Sequence, residues 1–487
     1  MSAPELHLKS ARGRWVVIAT VLGSSLAMLD GTVVNVALPR IGADLGAEVA
    51  GVQWVLSGYT LTLASLILLG GALGDRLGRR RVFVWGTVWF AIASGLCALA
   101  PDVGTLVAAR LVQGVGAALL TPGSLAIISA SFDDDDQGAA IGLWSGLGGV
   151  AAAVGPLLGG WLVEVAGWRS VFLINLPLAV AVVWVSVRHV PETRDPHPPE
   201  RLDVPGAVLA AVSLAALTYG LIEKTVWVAV AGVVLMGAFV VVERRSRYAL
   251  VPSSLFASRV FVAANLVTLA VYAALGGVFF LLLLQLQIVS GYSPLAAGIA
   301  SLPITILMLL LSSRAGRWAQ VHGPRIPLTV GPLLGAAGLL LMLRIGPDAS
   351  YPTEVLPAVL VFGLGLSALV APLTTAVLGS VSSDQAGIAS GVNNAVARTS
   401  QLLAVAALPA LAGIGADALS DPAAFASGFR IAMLICAGLL VVGALISAVM
   451  IPRRAAAEEP PEVPAGENVA CQPHCDVTAP AVQPPTH

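Results

Sequence analysis

The amino-acid sequence predicts an all-α integral membrane protein with about fourteen transmembrane helices, arranged as two six-helix bundles with two inserted helices. Of the 487 residues, 57% are hydrophobic and 11% are charged, whereas soluble domains carry about 25% charged residues. The apolar residues also form separate runs of about 20, the length that an α-helix needs to cross a bilayer. A soluble fold could not bury this much apolar surface, so the chain is predicted to lie in a membrane.

The predicted spans follow one another with short polar turns between them. An even number of spans places both ends of the chain on one side of the membrane. The segment 226–242 is the shortest and is followed directly by charged residues. The spans lie near 15–38, 53–73, 82–100, 104–130, 139–163, 168–187, 204–222, 226–242, 260–286, 295–313, 326–344, 354–378, 386–412 and 428–450.

The basic residues indicate which side faces the cytoplasm. The side that holds the two termini carries 19 of the 26 Lys and Arg residues, and the other side carries 5. Because cytoplasmic loops are enriched in Lys and Arg, both termini are predicted to be cytoplasmic. Outside the spans lie a cytoplasmic N-terminus (1–14), a Pro-rich cytoplasmic linker (188–203) and a Pro- and Glu-rich tail (453–487) that we expect to be disordered.

Two motifs occur once in each half of the chain. The turn 71–80 after the second span is similar to 316–325 after the tenth, at an offset of 245 residues. Asp136-Gln137 before the fifth span recurs as Asp384-Gln385 before the thirteenth, at an offset of 248. The chain therefore divides into two duplicated six-span halves, 15–187 and 260–450, with the two inserted helices at 204–242. Internal repeats around a site near the middle of the bilayer are typical of secondary transporters.

Two opposite charges are predicted to lie at one depth inside the membrane. Asp30 precedes Pro39 by nine residues, and Arg110 follows Pro101 by nine, at the ends of spans on the same side. At about 1.5 Å per helical residue, the two side chains reach the same level. A charge at that depth costs from about 3 to more than 10 kcal/mol and is commonly functional. The pair either locks two helices together or exchanges partners with a proton or a substrate.

A polar patch in the thirteenth span is a second candidate. Arg398 lies there with Asn393 and Asn394, and Gln113 extends the polar face around Arg110 in the first half. We assign Gln113, Asn393, Asn394 and Arg398 to a substrate cavity. For Arg398, the alternative of bracing helix packing stays open.

The fifth span combines small residues with a proline. Gly155, Pro156, Gly159 and Gly160 allow close approach of a neighbouring helix and bend the span. This composition predicts a packing seam or a hinge.

The turn after the second span is strongly charged. It contains Gly71, Asp75, Arg76, Gly78, Arg79 and Arg80. One interpretation is that its basic residues only hold the turn in the cytoplasm. A sharper one is that Asp75 meets the positive N-terminal end of the thirteenth span, near 382–384, and closes a cytoplasmic gate. The four aspartates 133–136 are expected to form a solvated loop.

Several classes of protein are disfavoured by what the sequence contains. It carries no GxxxxGK[ST] phosphate-binding pattern and no convergent nucleophile and base, so neither an ATPase nor another enzyme is expected. The near-zero net charge gives no sign of a nucleic-acid partner. Cys97 and Cys436 resemble packing residues in apolar runs. Cys471, His474 and Cys475 lie in the tail, where disorder is favoured over a metal site, so no metal or cofactor is predicted.

These motifs resemble those of the major facilitator superfamily, and among its members the fourteen-span drug:proton antiporters. Residues 71–80 match the loop signature GxLaDRxGRR, 110–114 match RxxQG in the fourth span, and 155–160 match GPxxGG in the fifth. Residues 29–39 are similar to LDxTvvNvALP, and 168–177 to WR..F.iN.P. The second half is matched mainly through its order of spans and its thirteenth-span polar residues.

The resemblance implies alternating access and proton-driven export of small hydrophobic compounds such as drugs or antibiotics. It implies that Asp30 and Arg110 serve proton coupling, that the 71–80 turn is a cytoplasmic gate, and that the glycine-rich fifth span serves the conformational change. Gln320 stands where the second half would carry an acid, so that gate is expected to be weaker. We expect a monomer in a bacterial inner membrane. A metabolite facilitator or importer, or a non-transporting sensor, are the alternatives.

Overall fold

The computed structural model describes residues 6–195, 203–246, 251–382 and 385–452. Helices dominate these ranges, and thirteen helical stretches are long and apolar enough to cross a membrane. A further 26-residue helix carries the polar residues predicted for the thirteenth span. The helices are α1 (Ala11–Leu45), α2 (Val49–Leu77), α3 (Arg79–Leu99), α4 (Val103–Ser131), α5 (Asp134–Ala166), α6 (Ser170–Leu173), α7 (Asn175–His189), α8 (Val204–Ile222), α9 (Val226–Arg245), α10 (Arg259–Leu284), α11 (Pro294–His322), α12 (Arg325–Met342), α13 (Leu356–Leu378), α14 (Ala386–Leu411) and α15 (Pro422–Met450).

Most helices extend past the apolar runs that predict them, because capping residues outside the runs end them. Helix α1 does not stop at Pro39 but continues to Gly46, whose left-handed backbone (φ 62°) closes it. At the start of α4, the Thr105 hydroxyl and N–H donate to the Asp102 carboxylate at 2.7 and 2.9 Å and hold the pKa of Asp102 below its usual range. The predicted sixth span is divided into α6 and α7.

The expected solvated loop at 133–136 is wrong. Asp133 caps α5, which begins at the next residue. The segment before α1 packs against this helix start. The Leu8 N–H donates to Asp136 Oδ2 at 2.7 Å, and His7 Nδ1 lies 2.7 Å from Asp133 Oδ2. His7 and Leu8 of the predicted cytoplasmic N-terminus therefore contact the N-terminal end of α5.

The two bundles have the same internal packing. In the first, α1 packs on α5 and α7, α2 packs on α4, and α3 packs on α4 and α7. In the second, α10 packs on α14 and α15, α11 packs on α13, and α12 packs on α13 and α15. Each pairing in one bundle recurs between the helices of the same rank in the other. This correspondence confirms the predicted fold of two six-helix bundles.

The two inserted helices form a hairpin. Helices α8 and α9 approach closely at glycines, since a Cβ atom on Gly232 would lie 2.6 Å from the Leu217 nitrogen. Helix α8 packs on α2 of the first bundle and on α14 of the second. Helix α9 is largely exposed on its outer side, where Trp227 is 83% accessible, as expected for a helix facing lipid.

The molecule has two ends, which we call the terminal face, where α1 begins and α15 ends, and the opposite face, where α1 ends and α2 begins. The bundles are joined by hydrogen bonds near the opposite face. Gln53 Nε2 donates to the Val405 carbonyl at 2.7 Å, and Gln287 Nε2 donates to the Val36 carbonyl at 3.1 Å. The Leu295 N–H donates to Glu164 Oε1 at 3.0 Å. The bundles are thus closed against each other at the opposite face.

Candidate functional site

The centre of the first bundle contains a buried ion pair. Asp30 comes from the middle of α1 and Arg110 from α4, and the side chains of both are fully inaccessible. Arg110 Nη1 donates to Asp30 Oδ2, and Arg110 Nε donates to the Val55 carbonyl at 3.0 Å. The pairing predicted from equal depth is therefore confirmed. Its role in proton coupling stays a prediction.

The second oxygen of Asp30 is held by two amides. Asp30 Oδ1 accepts from Gln113 Nε2 at 2.9 Å and from Asn175 Nδ2 at 3.1 Å. Both amides also donate to Ser94 Oγ, at 2.7 and 3.0 Å. Within the described ranges, the carboxylate of Asp30 thus accepts hydrogen bonds from Arg110, Gln113 and Asn175. Helices α1, α3, α4 and α7 all contribute to this network.

Gln113 does not face an open cavity in this conformation, contrary to the role predicted for it. Its side chain is fully buried, and its Oε1 accepts from Arg110 Nη1 at 2.6 Å. Cys97 Sγ lies 3.7 Å from the same oxygen. The reason is that the face of α4 carrying Arg110 and Gln113 turns toward α1 and α3, where the polar groups satisfy one another.

Aromatic rings cover the guanidinium of Arg110. Its Cζ lies 4.4 Å from the centre of the Tyr59 ring and 5.8 Å from that of Phe172. Such contacts stabilise a desolvated cation. Arg110 Nη2 has no hydrogen-bond partner within the described part of the chain. The first bundle thus holds a buried charge pair in which one guanidinium nitrogen, Arg110 Nη2, lacks an acceptor within the described ranges.

The polar residues of α14 have three different environments. Asn393 Nδ2 donates to Thr268 Oγ1 at 2.8 Å and to Asn265 Oδ1 at 3.2 Å, so Asn393 joins α14 to α10. Asn394 is exposed. Arg398 is half-buried, and its Nη1 lies 3.5 Å from Gln401 Oε1. Of the residues predicted to line the cavity, Asn393 joins two helices of its own bundle. No such helix-joining hydrogen bond is seen for the Asn394 amide or the Arg398 guanidinium within the described ranges.

At the terminal face, Asp75 binds within its own turn. Its Oδ1 lies 2.8 Å from Arg79 Nε. The sharper prediction placed Asp75 at the start of the thirteenth span, but residues 383–384 lie outside the described ranges, so that contact stays a prediction. A Cβ added to Gly71 would lie 3.6 Å from Pro122 Cβ, an ordinary contact distance, and Arg76 is exposed.

The start of the predicted linker contacts this turn. The sequence does not indicate this contact. The Arg80 N–H donates to Glu192 Oε1 at 3.1 Å, and Glu192 Oε2 lies 3.7 Å from Arg81 Nε. The Arg79 N–H donates to the Thr193 carbonyl at 2.9 Å. Gly78 has a φ of +117°, and a Cβ there would lie 2.6 Å from Glu192 Oε1. The first residues of the predicted linker are thus part of the predicted gate, and the rest of it (196–202) and the tail lie outside the described ranges.

The glycines of α5 are contact points on both of its sides. A Cβ on Gly155 would overlap the Thr32 hydroxyl, and one on Gly159 would lie 3.0 Å from Val33 Cα, so α5 fits closely against α1. A Cβ on Gly160 would lie 2.6 Å from Leu295 Cα in α11. Pro156 lies inside the helix, with its carbonyl against Gly298. The predicted packing seam therefore joins α5 to its own bundle and to the other.

We expect Gly160→Ala to destabilise the closed arrangement at the opposite face. The added methyl group meets the backbone of α11, which cannot move as a side chain can, and overpacking of this kind costs about 1–3 kcal/mol. Thermal unfolding of the purified protein in detergent measures the loss. Gly142→Ala is the control, because no atom lies within 4 Å of its added Cβ. Equal melting temperatures for the two variants would contradict the close contact between α5 and α11 at Gly160.

Comparison with known proteins agrees with this architecture. The profile of the Major Facilitator Superfamily matches residues 20–405. A puromycin resistance protein of Streptomyces alboniger is 36% identical over 467 residues, which cover 91% of this chain and 92% of the relative. A probable actinorhodin transporter of Streptomyces coelicolor is 37% identical over 82% of this chain and 72% of its own length.

The fold also matches a solved structure. A bacterial homologue of the human lysosomal transporter Spinster, in an inward-facing and unoccupied conformation, superposes with a TM-score of 0.65. The match covers 91% of this chain and 97% of that chain at 19% identity, so the likeness concerns the fold alone. The profile match and the identities with the two relatives together identify the family. The chain belongs to the Major Facilitator Superfamily.

Proposed function

We propose that this protein exports small hydrophobic compounds, drugs or antibiotics among them, by proton-coupled alternating access. The observation that carries the proposal is the Asp30–Arg110 pair, a charge pair buried in the membrane-spanning part of one bundle of a two-bundle transporter fold. Ionisable groups at such depth are typical of proton relays. The names of the relatives, one for puromycin resistance and one for a transporter, support export as the direction.

The proton is carried by the Asp30 carboxylate. When the substrate cavity faces outward, Asp30 takes up a proton, and its ion pair with Arg110 weakens. After the change to the inward-facing state, Asp30 releases the proton to the cytoplasmic side. With both termini in the cytoplasm, closure at the opposite face corresponds to an inward-facing state. The donors from Arg110, Gln113 and Asn175 fit the ionised form that follows proton release. The proton gradient is the energy source in this scheme, and no cofactor is needed.

Expression in an efflux-deficient bacterium tests the function. We expect resistance to several members of a panel of antibiotics and dyes, and loss of dye efflux when a protonophore dissipates the gradient. The measurement is dye retained in the cells over time, with an empty vector as control. Accumulation in place of efflux would identify an importer or facilitator, and the absence of any transport would favour a sensor.

A further inference from the structure

The second bundle contains a cation that pairs with no acidic side chain of the described ranges. Arg398 lies in the middle of α14, twelve residues after Ala386 and thirteen before Leu411. Over the described ranges it forms no ion pair. Its hydrogen bond to Gln401 spans 3.5 Å, at the upper limit for such a bond. A guanidinium at membrane depth needs more than this to compensate for lost hydration.

The two arginines inside spans differ sharply. Arg110 has Asp30, the Val55 carbonyl and the Gln113 oxygen as acceptors and is fully buried. Arg398 is only half-buried, and the one side-chain hydrogen bond that it forms within the described ranges goes to the neutral Gln401. A cation built to lock helices would resemble Arg110. The environment of Arg398 is instead that of a guanidinium that keeps its donors free for another group.

Arg398 faces the interface between the two bundles. On α14, Ala395 packs against the core of the first bundle, and Leu402 packs against Leu61 of α2. Arg398 is three residues after the first and four before the second, so it lies on the same helix face. Transporters with internal repeats bind their substrates at this interface.

We propose that Arg398 binds an acidic group of the substrate, and that the preferred cargo is hydrophobic compounds bearing a carboxylate, phenolate or similar anion. The proposal rests on the export function proposed above. Arg110 neutralises Asp30, so Arg398 leaves the interface between the bundles with a net positive charge. This charge increases when Asp30 is protonated. The planar guanidinium matches a carboxylate with two parallel hydrogen bonds. An anion leaving a cell with a negative interior is also driven outward by the membrane potential.

Two dyes with one xanthene skeleton test the charge preference. Fluorescein is anionic and rhodamine 123 is cationic, and their uptake is measured in inside-out membrane vesicles energised by a proton gradient. We expect wild-type vesicles to accumulate fluorescein and to exclude rhodamine 123. Arg398→Gln should lower fluorescein uptake about tenfold or more, because it removes a charge-assisted hydrogen bond. Arg398→Lys, which keeps the charge, should retain part of the uptake.

Two controls separate binding from folding. Arg344→Gln changes an exposed arginine just beyond α12 and should leave fluorescein uptake unchanged. Uptake of the neutral dye Nile red should survive in Arg398→Gln, which shows an intact transport cycle. Rhodamine 123 uptake without fluorescein uptake, or equal fluorescein uptake by Arg398→Gln and wild type, would overturn the anion site alone. Failure of all three dyes in wild-type vesicles would overturn the export function together with it.

Discussion

Asp30→Asn is expected to abolish uphill export driven by a proton gradient. Asparagine keeps the size of the side chain and an oxygen for the Gln113 and Asn175 amides, but it cannot take up and release a proton at any pH. Substrate movement down its own gradient needs no proton and should continue. Substrate uptake into inside-out vesicles, with and without an imposed pH gradient, should show no stimulation in the variant.

A matched pair on the same helix provides the control. Arg40 and Asp44 lie near the end of α1, with side chains 63% and 42% accessible and 3.6 Å between Nε and Oδ1. Asp44→Asn removes a carboxylate that has contact with water and should leave gradient-driven uptake intact. If Asp30→Asn is stimulated by the gradient as strongly as Asp44→Asn, Asp30 does not carry the proton.

Arg110→Ala is expected to lower the stability of the protein strongly and to uncouple transport. The change leaves the Asp30 carboxylate buried without its cation, and breaking a buried pair in this way costs about 3–5 kcal/mol. The Val55 carbonyl and the Gln113 oxygen also lose their donors. Thermal unfolding in detergent reports the stability, and the vesicle assay reports the coupling. Arg40→Ala, which breaks an exposed pair, should cost about 1 kcal/mol or less.

The two measurements on Arg110→Ala discriminate between the roles of the pair. A pair that only locks α1 to α4 predicts lower stability with gradient-driven uptake intact. A pair that couples proton movement predicts loss of that uptake even where substrate still binds. Asp30→Asn combined with Arg110→Gln removes both charges, so stability should partly return while coupling stays absent.

The sequence predicts the fold well because a bilayer imposes a simple rule on length. Each span needs about 20 apolar residues, so counting runs recovers the helices. Counting residues from the end of a span also gives the depth of a side chain in the membrane. This depth alone predicts that Asp30 and Arg110 lie close together. Helix α14 shows that order matters as well as hydropathy: its polar residues make it less apolar than the other spans, yet its place after α13 predicts it.

Rotation about the helix axis is what the sequence does not specify. A membrane helix is apolar on the sides facing lipid and on most sides facing protein, so its pattern rarely shows which side is inside. The sequence therefore predicts a cavity position for Gln113, although its side chain turns toward Ser94. Asn175 lies in a stretch that resembled a family motif, but nothing in that motif points to Asp30. The sequence does not point to Glu192, because a charge in a linker is ordinarily solvated.

The network around Asp30 draws all its side chains from one bundle, whereas Arg398 belongs to the other. This separation has a consequence for how such a protein can change through evolution. If Asp30 carries the proton and Arg398 binds the substrate, as proposed, substitutions in the second half can alter which compound is accepted without disturbing the network around Asp30. A change of substrate can therefore proceed through single substitutions, each leaving a protein that still uses the proton gradient. The two halves of the duplicated chain can in this way take different functions.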